Sequence, residues 1–145
     1  MHRWLLIVLL SLALPRQAQA QPSMQANHID ANVPEDGKFT ELLNRDLLAY
    51  FKATGAATAT NVQVRLLRDA PTQSGVSYPK YYAWVQVQSG ASRLAEGAVR
   101  LAAIERTRFE VTDYVPKNKA KGSRELVESV FPRPLVPDIL RLAAE

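Results

Sequence analysis

The chain has 145 residues, no cysteine, and 18 Lys and Arg against 14 Asp and Glu. Without cysteine there can be no disulfide, thiol redox chemistry or cysteine nucleophile. Residues 1–20 hold Arg3 and Arg16 and no acid, so the remainder carries 16 basic against 14 acidic side chains, a balance that gives no reason to expect nucleic acid or an anionic membrane as partner.

The first predicted element is an export signal. Met1-His2-Arg3 is a short positive start, and Trp4 to Leu14 is apolar apart from Ser11. Pro15 ends that run, and Ala18-Gln19-Ala20 offers the small-x-small pattern that a signal peptidase needs. A spanning helix takes ~20 apolar residues, about twice this run. Residues 1–20 therefore read as a cleavable signal peptide that leaves no stable membrane anchor. No cysteine follows for lipid attachment and no twin-arginine pair precedes, which points to the general secretion route. The expected mature protein starts near Gln21, is periplasmic or secreted, and at about 125 residues makes one domain.

Residues 21–37 are polar, lack periodicity and contain Pro22 and Pro34, so they read as a flexible N-terminal arm. Residues 38–54 read as an amphipathic helix. Phe39, Leu42, Leu43, Leu47, Tyr50 and Phe51 recur at three- and four-residue steps. Asp36 is placed as its N-cap and Gly55 as its left-handed stop.

From Thr58 the period falls to two. Val62, Val64 and Leu66 mark a half-buried strand, and residues 69–75 a loop. Further strands are predicted at about 78–88, 96–104 and 108–115, with a turn at 89–92 and a tight reversal at 105–107. Residues 116–122 read as a basic loop. Ser123 caps a short helix through Phe131, and Pro137 opens a last one.

Consecutive strands with short links form an antiparallel meander. The expected fold is α+β: an N-terminal amphipathic helix packed on a curved four-stranded sheet, with short C-terminal helices, over residues 38–145. This order of elements resembles the cystatin-like and nuclear-transport-factor-2-like α+β rolls. Cystatins that inhibit cysteine proteases carry a Gln-x-Val-x-Gly hairpin. Gln63-Val64-Arg65-Leu66 and Gln86-Val87-Gln88-Ser89 depart from it, the glycine included, so that activity does not carry over.

Beyond the signal there is one histidine, His28, in the expected arm. A serine triad needs a rigidly held histidine, and His- or Cys-based metal and haem sites lack ligands. No phosphate-binding glycine loop and no calcium-loop spacing occurs. No cofactor is expected.

The most unusual stretch is Tyr78 to Val87. At strand period Tyr81, Ala83, Val85 and Val87 face the helix, while Tyr78, Lys80, Tyr82, Trp84 and Gln86 form a row of rings and polar groups. Tyrosine and tryptophan recur at recognition sites. That second face, rimmed by loop 69–77, is therefore the candidate binding surface for a protein partner in the cell envelope or another extended ligand. The competing expectation is that Phe131, Leu135, Ile139 and Leu140 fold over those rings. Two alternatives to a binding module stand beside it: a small enzyme using Asp113 as base with Tyr114, and a carrier holding an apolar molecule between helix and sheet. Lys117, Lys119, Lys121 and Arg124 read as a soluble basic surface.

Overall fold

The computed structural model describes residues 23–145; the export signal expected at 1–20, with its cleavage point after Ala20, lies outside the described residues. The elements are α1 (Met24–Asn32), α2 (Asp36–Ala53), β1 (Asn61–Leu66), β2 (Lys80–Ser89), β3 (Ser92–Ile104), β4 (Arg108–Pro116), α3 (Lys117–Gly122), α4 (Arg124–Val130) and α5 (Val136–Ala144). The class and order are those expected: a helix, an open antiparallel sheet in the order β1-β2-β3-β4, then short helices.

Two segments differ from expectation. The first is α1, which occupies much of the expected flexible arm. Ser23 caps it by accepting the Ala26 N–H at 3.1 Å. Its one buried residue is Asn32, 5 % exposed. Asn32 Oδ1 accepts the Glu105 N–H at 3.0 Å, and its main-chain oxygen accepts the Arg106 N–H at 2.8 Å. Glu105 and Arg106 have φ of 50° and 61°, strained for residues with a Cβ, and the Asn32 clamp holds that β3–β4 turn. Gln25 also donates to the Gln73 carbonyl at 3.3 Å and His28 Nε2 meets the Ser77 carbonyl at 2.9 Å, and a helix docked through such polar contacts has no apolar stripe for periodicity to reveal. The second is α3, which replaces the expected basic loop. Pro116 enters it at φ −58° and Ala120 is fully buried, while Lys119 and Lys121 take the outer side.

Helices cover both faces of the sheet. On one, Leu43, Leu47 and Phe51 of α2 pack on Val62, Tyr81, Ala83, Val85, Val87, Val99, Leu101 and Phe109. On the other, Tyr82, Trp84, Ala98 and Val115 lie under Ala120, Val127, Phe131, Val136, Ile139 and Leu142 from the tail. Tyr81 to Val85 are therefore buried without a break. Residues Phe109, Tyr81 and Phe39 meet edge-on, with centroids 5.0–6.0 Å apart.

Two bulges modify the ladder. Between Val87 and Gln88 the register slips, so that Leu94 is an extra residue in β3. Between Arg100 and Leu101 it slips again, leaving Thr112 extra in β4. An extra residue reverses the side-chain parity beyond it. Val111 and Tyr114 thus both pack on the α2 side, while Val115 joins the tail side.

Candidate functional site

The tail covers the centre of the aromatic row. Tyr82 and Trp84 are 5 % and 4 % exposed, so the open binding face expected there is not present, and the covering expectation holds. The Tyr82 ring meets Phe131 at 6.3 Å, and its hydroxyl shares a 2.7 Å hydrogen bond with Thr72 Oγ1 in the rim loop. Tyr78 is exposed and stacks on His28 at 6.5 Å. Lys80 Nζ donates to the Tyr78 carbonyl at 2.8 Å; burial, aided by the Arg100 charge, lowers its pKa. The five residues are thus split between an interior, a loop and a polar cluster.

Asp113 and Tyr114 are adjacent in sequence but face opposite sides of the sheet. Asp113 is paired to Arg100, with Nε at 2.8 Å. Tyr114 packs edge-on against Phe51 at 4.9 Å and donates its hydroxyl to the Glu96 carbonyl at 3.1 Å. Burial pushes its pKa up to about 12. The fold does not bring the two together as an acid–base pair.

Glu96, at the start of the strand expected over 96–104, is the polar centre of the tail side. It stands opposite Gln86 in the ladder. Its Oε1 accepts from Trp84 Nε1 and Gln86 Nε2, both at 3.1 Å. Its Oε2 takes Arg93 at 2.9 Å and Lys117 at 3.5 Å. Burial alone would raise the carboxyl pKa; the Trp84 and Gln86 donors, with the Lys117 and Arg93 charges, lower it below the ordinary value. The cluster joins β2, β3 and α3, and holds an ionised acceptor, not a proton donor. The sequence signal for it was a carboxylate on the same strand face as Ala98, one strand away from Trp84.

Clefts open around this cluster. One, of about 600 Å³, is walled by Arg93, Leu94, Tyr114, Lys117, Lys121 and Ala143, among others. Another, of about 410 Å³, shares Leu94, Ala95 and Tyr114 with it. The bulge places Leu94 at both mouths, 40 % exposed.

A further concave feature lies at the β1 edge. Among the described residues β2 is the only strand neighbour of β1. Leu67 N–H donates to the Tyr82 carbonyl at 2.9 Å, next to the Leu66↔Ala83 pair. Antiparallel alternation then turns the backbone N–H and C=O of Leu66, Val64 and Val62 to the open edge. Beside them a groove of about 250 Å³ runs along α2, lined by Phe39, Thr40, Leu43, Asn44 and those three residues, all uncharged. On the other face of β1, Gln63 and Arg65 are exposed. Arg65 and Arg68 have no carboxylate partner among the described residues.

Among the described residues no helix is long and apolar enough to cross a membrane, and no group of three His, Cys, Asp or Glu gathers as metal ligands would. What the fold defines is a class: an α+β protein with an open four-stranded antiparallel sheet and helices on both faces. No family model, curated protein or solved structure matches the chain.

Proposed function

We propose that this chain is an exported, non-enzymatic binding module that takes up an extended segment of an envelope protein as an added strand along β1. The observation that carries the reading is the row of outward backbone groups at Val62, Val64 and Leu66 beside an uncharged groove. Strand addition uses such an edge for affinity and alternate side-chain pockets for specificity. The occupant is a strand that alternates apolar with acidic residues. Apolar side chains enter the groove against α2, and acidic ones lie over the unpaired Arg65. The helix-then-meander order is that of the cystatin-like and nuclear-transport-factor-2-like rolls, which we read as the scaffold. The signal-like residues 1–20 support export to the periplasm or beyond, and a chain isolated there is expected to begin at Gln21.

A synthetic hexapeptide alternating valine and glutamate is the probe for the edge. The protein is expected to bind it saturably, with amide shifts centred on Val62 to Leu66. Val64→Pro removes an edge donor that does not serve the β1–β2 ladder, so the fold survives and binding is lost. Arg65→Glu, an exposed change, weakens binding by reversing the charge on the acidic side. Binding that ignores both substitutions, or shifts centred elsewhere, would refute the reading.

A further inference from the structure

A different region carries a second site. We propose that the cleft beside Glu96 binds a small organic monoanion with a short apolar body, such as an aliphatic carboxylate. The inference does not depend on the β1 edge.

Charge comes first. Arg93 and Lys117 both turn to one oxygen, Glu96 Oε2, at 2.9 and 3.5 Å. A single negative charge therefore answers two positive ones. Lys121, on the same wall, is exposed and has no carboxylate partner among the described residues. The wall's other acid, Glu145, meets Arg141 at 2.6 Å, but that guanidinium also answers Asp138 at 2.7 Å. The lining thus sets Arg93, Lys117 and Lys121 against Glu96 and Glu145, an excess of one positive charge that falls at the unpaired Lys121, where an anionic head group would be drawn. Glu96 and Glu145 also limit the charge the site accepts. They repel a second negative charge, which favours a monoanion over a phosphate ester.

Shape comes second. The rest of the lining includes Leu94, Ala95, Pro116 and Ala143, an apolar surface next to the cationic one. Leu94 is there because the bulge makes it the extra residue of β3, and bulges recur where a strand must re-aim a side chain. An exposed leucine on a strand gains by being taken out of water, at roughly 25 cal/mol per Å² covered. Lysine at one end and leucine at the other suit an amphipathic ligand. The volume of about 600 Å³ is in the range of small-molecule sites.

Octanoate is the probe, followed through the backbone amide signals of the isotope-labelled protein. Saturable shifts are expected at Leu94, Ala95, Lys117 and Lys121. Octanol, which has the same body without the charge, should bind several-fold more weakly. Lys121→Glu should weaken octanoate roughly fivefold, the scale of an exposed charge contact reversed, and Leu94→Ser should weaken it as well. Both side chains are exposed, so an unchanged spectrum of the free variants certifies the fold. Shifts that do not saturate, equal binding of octanol, or full affinity in Lys121→Glu would each overturn the proposal.

Discussion

On the α2 side the sheet meets one 18-residue helix, and every contact in that layer is apolar or aromatic apart from the rim. On the tail side it meets three short helices, of 6, 7 and 9 residues, and the layer is pinned by a carboxylate that accepts from Trp84, Gln86, Arg93 and Lys117. A long amphipathic helix has one stripe to bury, and one face of a sheet accepts it. Short helices have little stability of their own, so their docking depends on the sheet residues beneath them and on ties such as Lys117–Glu96. The two faces test whether apolar packing and a polar hub give equally firm layers.

The largest effects come from deleting the centre of each layer. Leu47 and Ile139 are both fully buried, so Leu47→Ala and Ile139→Ala should each cost about 2–5 kcal/mol. Urea unfolding followed by tryptophan fluorescence and by circular dichroism is expected to give one coincident transition in both variants. If Ile139→Ala instead splits the unfolding in two, with the α2 layer surviving, the tail is a separable cover and the comparison tips to the α2 side.

Glu96→Gln addresses the hub, with an expected cost of about 1–3 kcal/mol for weakening a half-buried charged hydrogen-bond centre. Because the folded carboxyl has a lowered pKa, its contribution is complete above the unfolded value. It is lost as pH falls below about 4.5 and through the folded value. The urea midpoint of the wild type should drop over that acid range, and Glu96→Gln should flatten the drop. Equal slopes in the two proteins would remove Glu96 as the pin of the tail layer.

Tyr114 connects the layers, since its ring sits on Phe51 while its hydroxyl bonds the Glu96 carbonyl. Tyr114→Phe should cost about 0.5–1.5 kcal/mol. Its raised pKa means that this stability is intact below pH 10 and declines as pH climbs toward about 12. Burial raises Tyr81 as well, so an absorbance titration should show one fewer late-ionising tyrosine in Tyr114→Phe than in the wild type.

The same contrast explains which parts of the fold could be read in advance. The α2 layer was legible because its stripe has period 3.6 and the strands facing it have period two: Leu43, Leu47, Val85 and Phe109 all fall where those periods put them. The tail layer was half legible. Phe131 and Ile139 were visible as apolar residues needing a home, but nothing in periodicity says that Tyr82 and Trp84 are that home and not an open surface. Glu96 was missed because its importance lies in register, opposite Gln86 and near Trp84, and register is set by bulges that leave only a parity break in the sequence. The β1 edge was legible as a strand; its openness is a property of sheet order, which strand patterns do not encode. Asn32 was missed because one buried amide leaves no pattern at all.

That last anchor gives the smallest effect, and it has the opposite sign. The β3–β4 turn belongs to the α2 side: Asn32 clamps it, Arg45 reaches the Thr107 carbonyl at 3.1 Å, and Asp46 accepts the Phe109 N–H at 2.7 Å. Glu105 holds a φ of 50°, where glycine carries no Cβ penalty. The Asn32 bond uses the Glu105 backbone N–H, which glycine keeps. Glu105→Gly should therefore relieve local strain, and the greater freedom of glycine in the unfolded chain offsets part of the gain. A net stabilisation of about 0.5 kcal/mol is expected, set by the αL cost against glycine's entropy. If the urea midpoint falls instead, the turn is not strained, and the clamp from Asn32 maintains a comfortable conformation instead of forcing one. The α2 side would then owe its firmness to packing alone, which sharpens its difference from the hub-pinned tail.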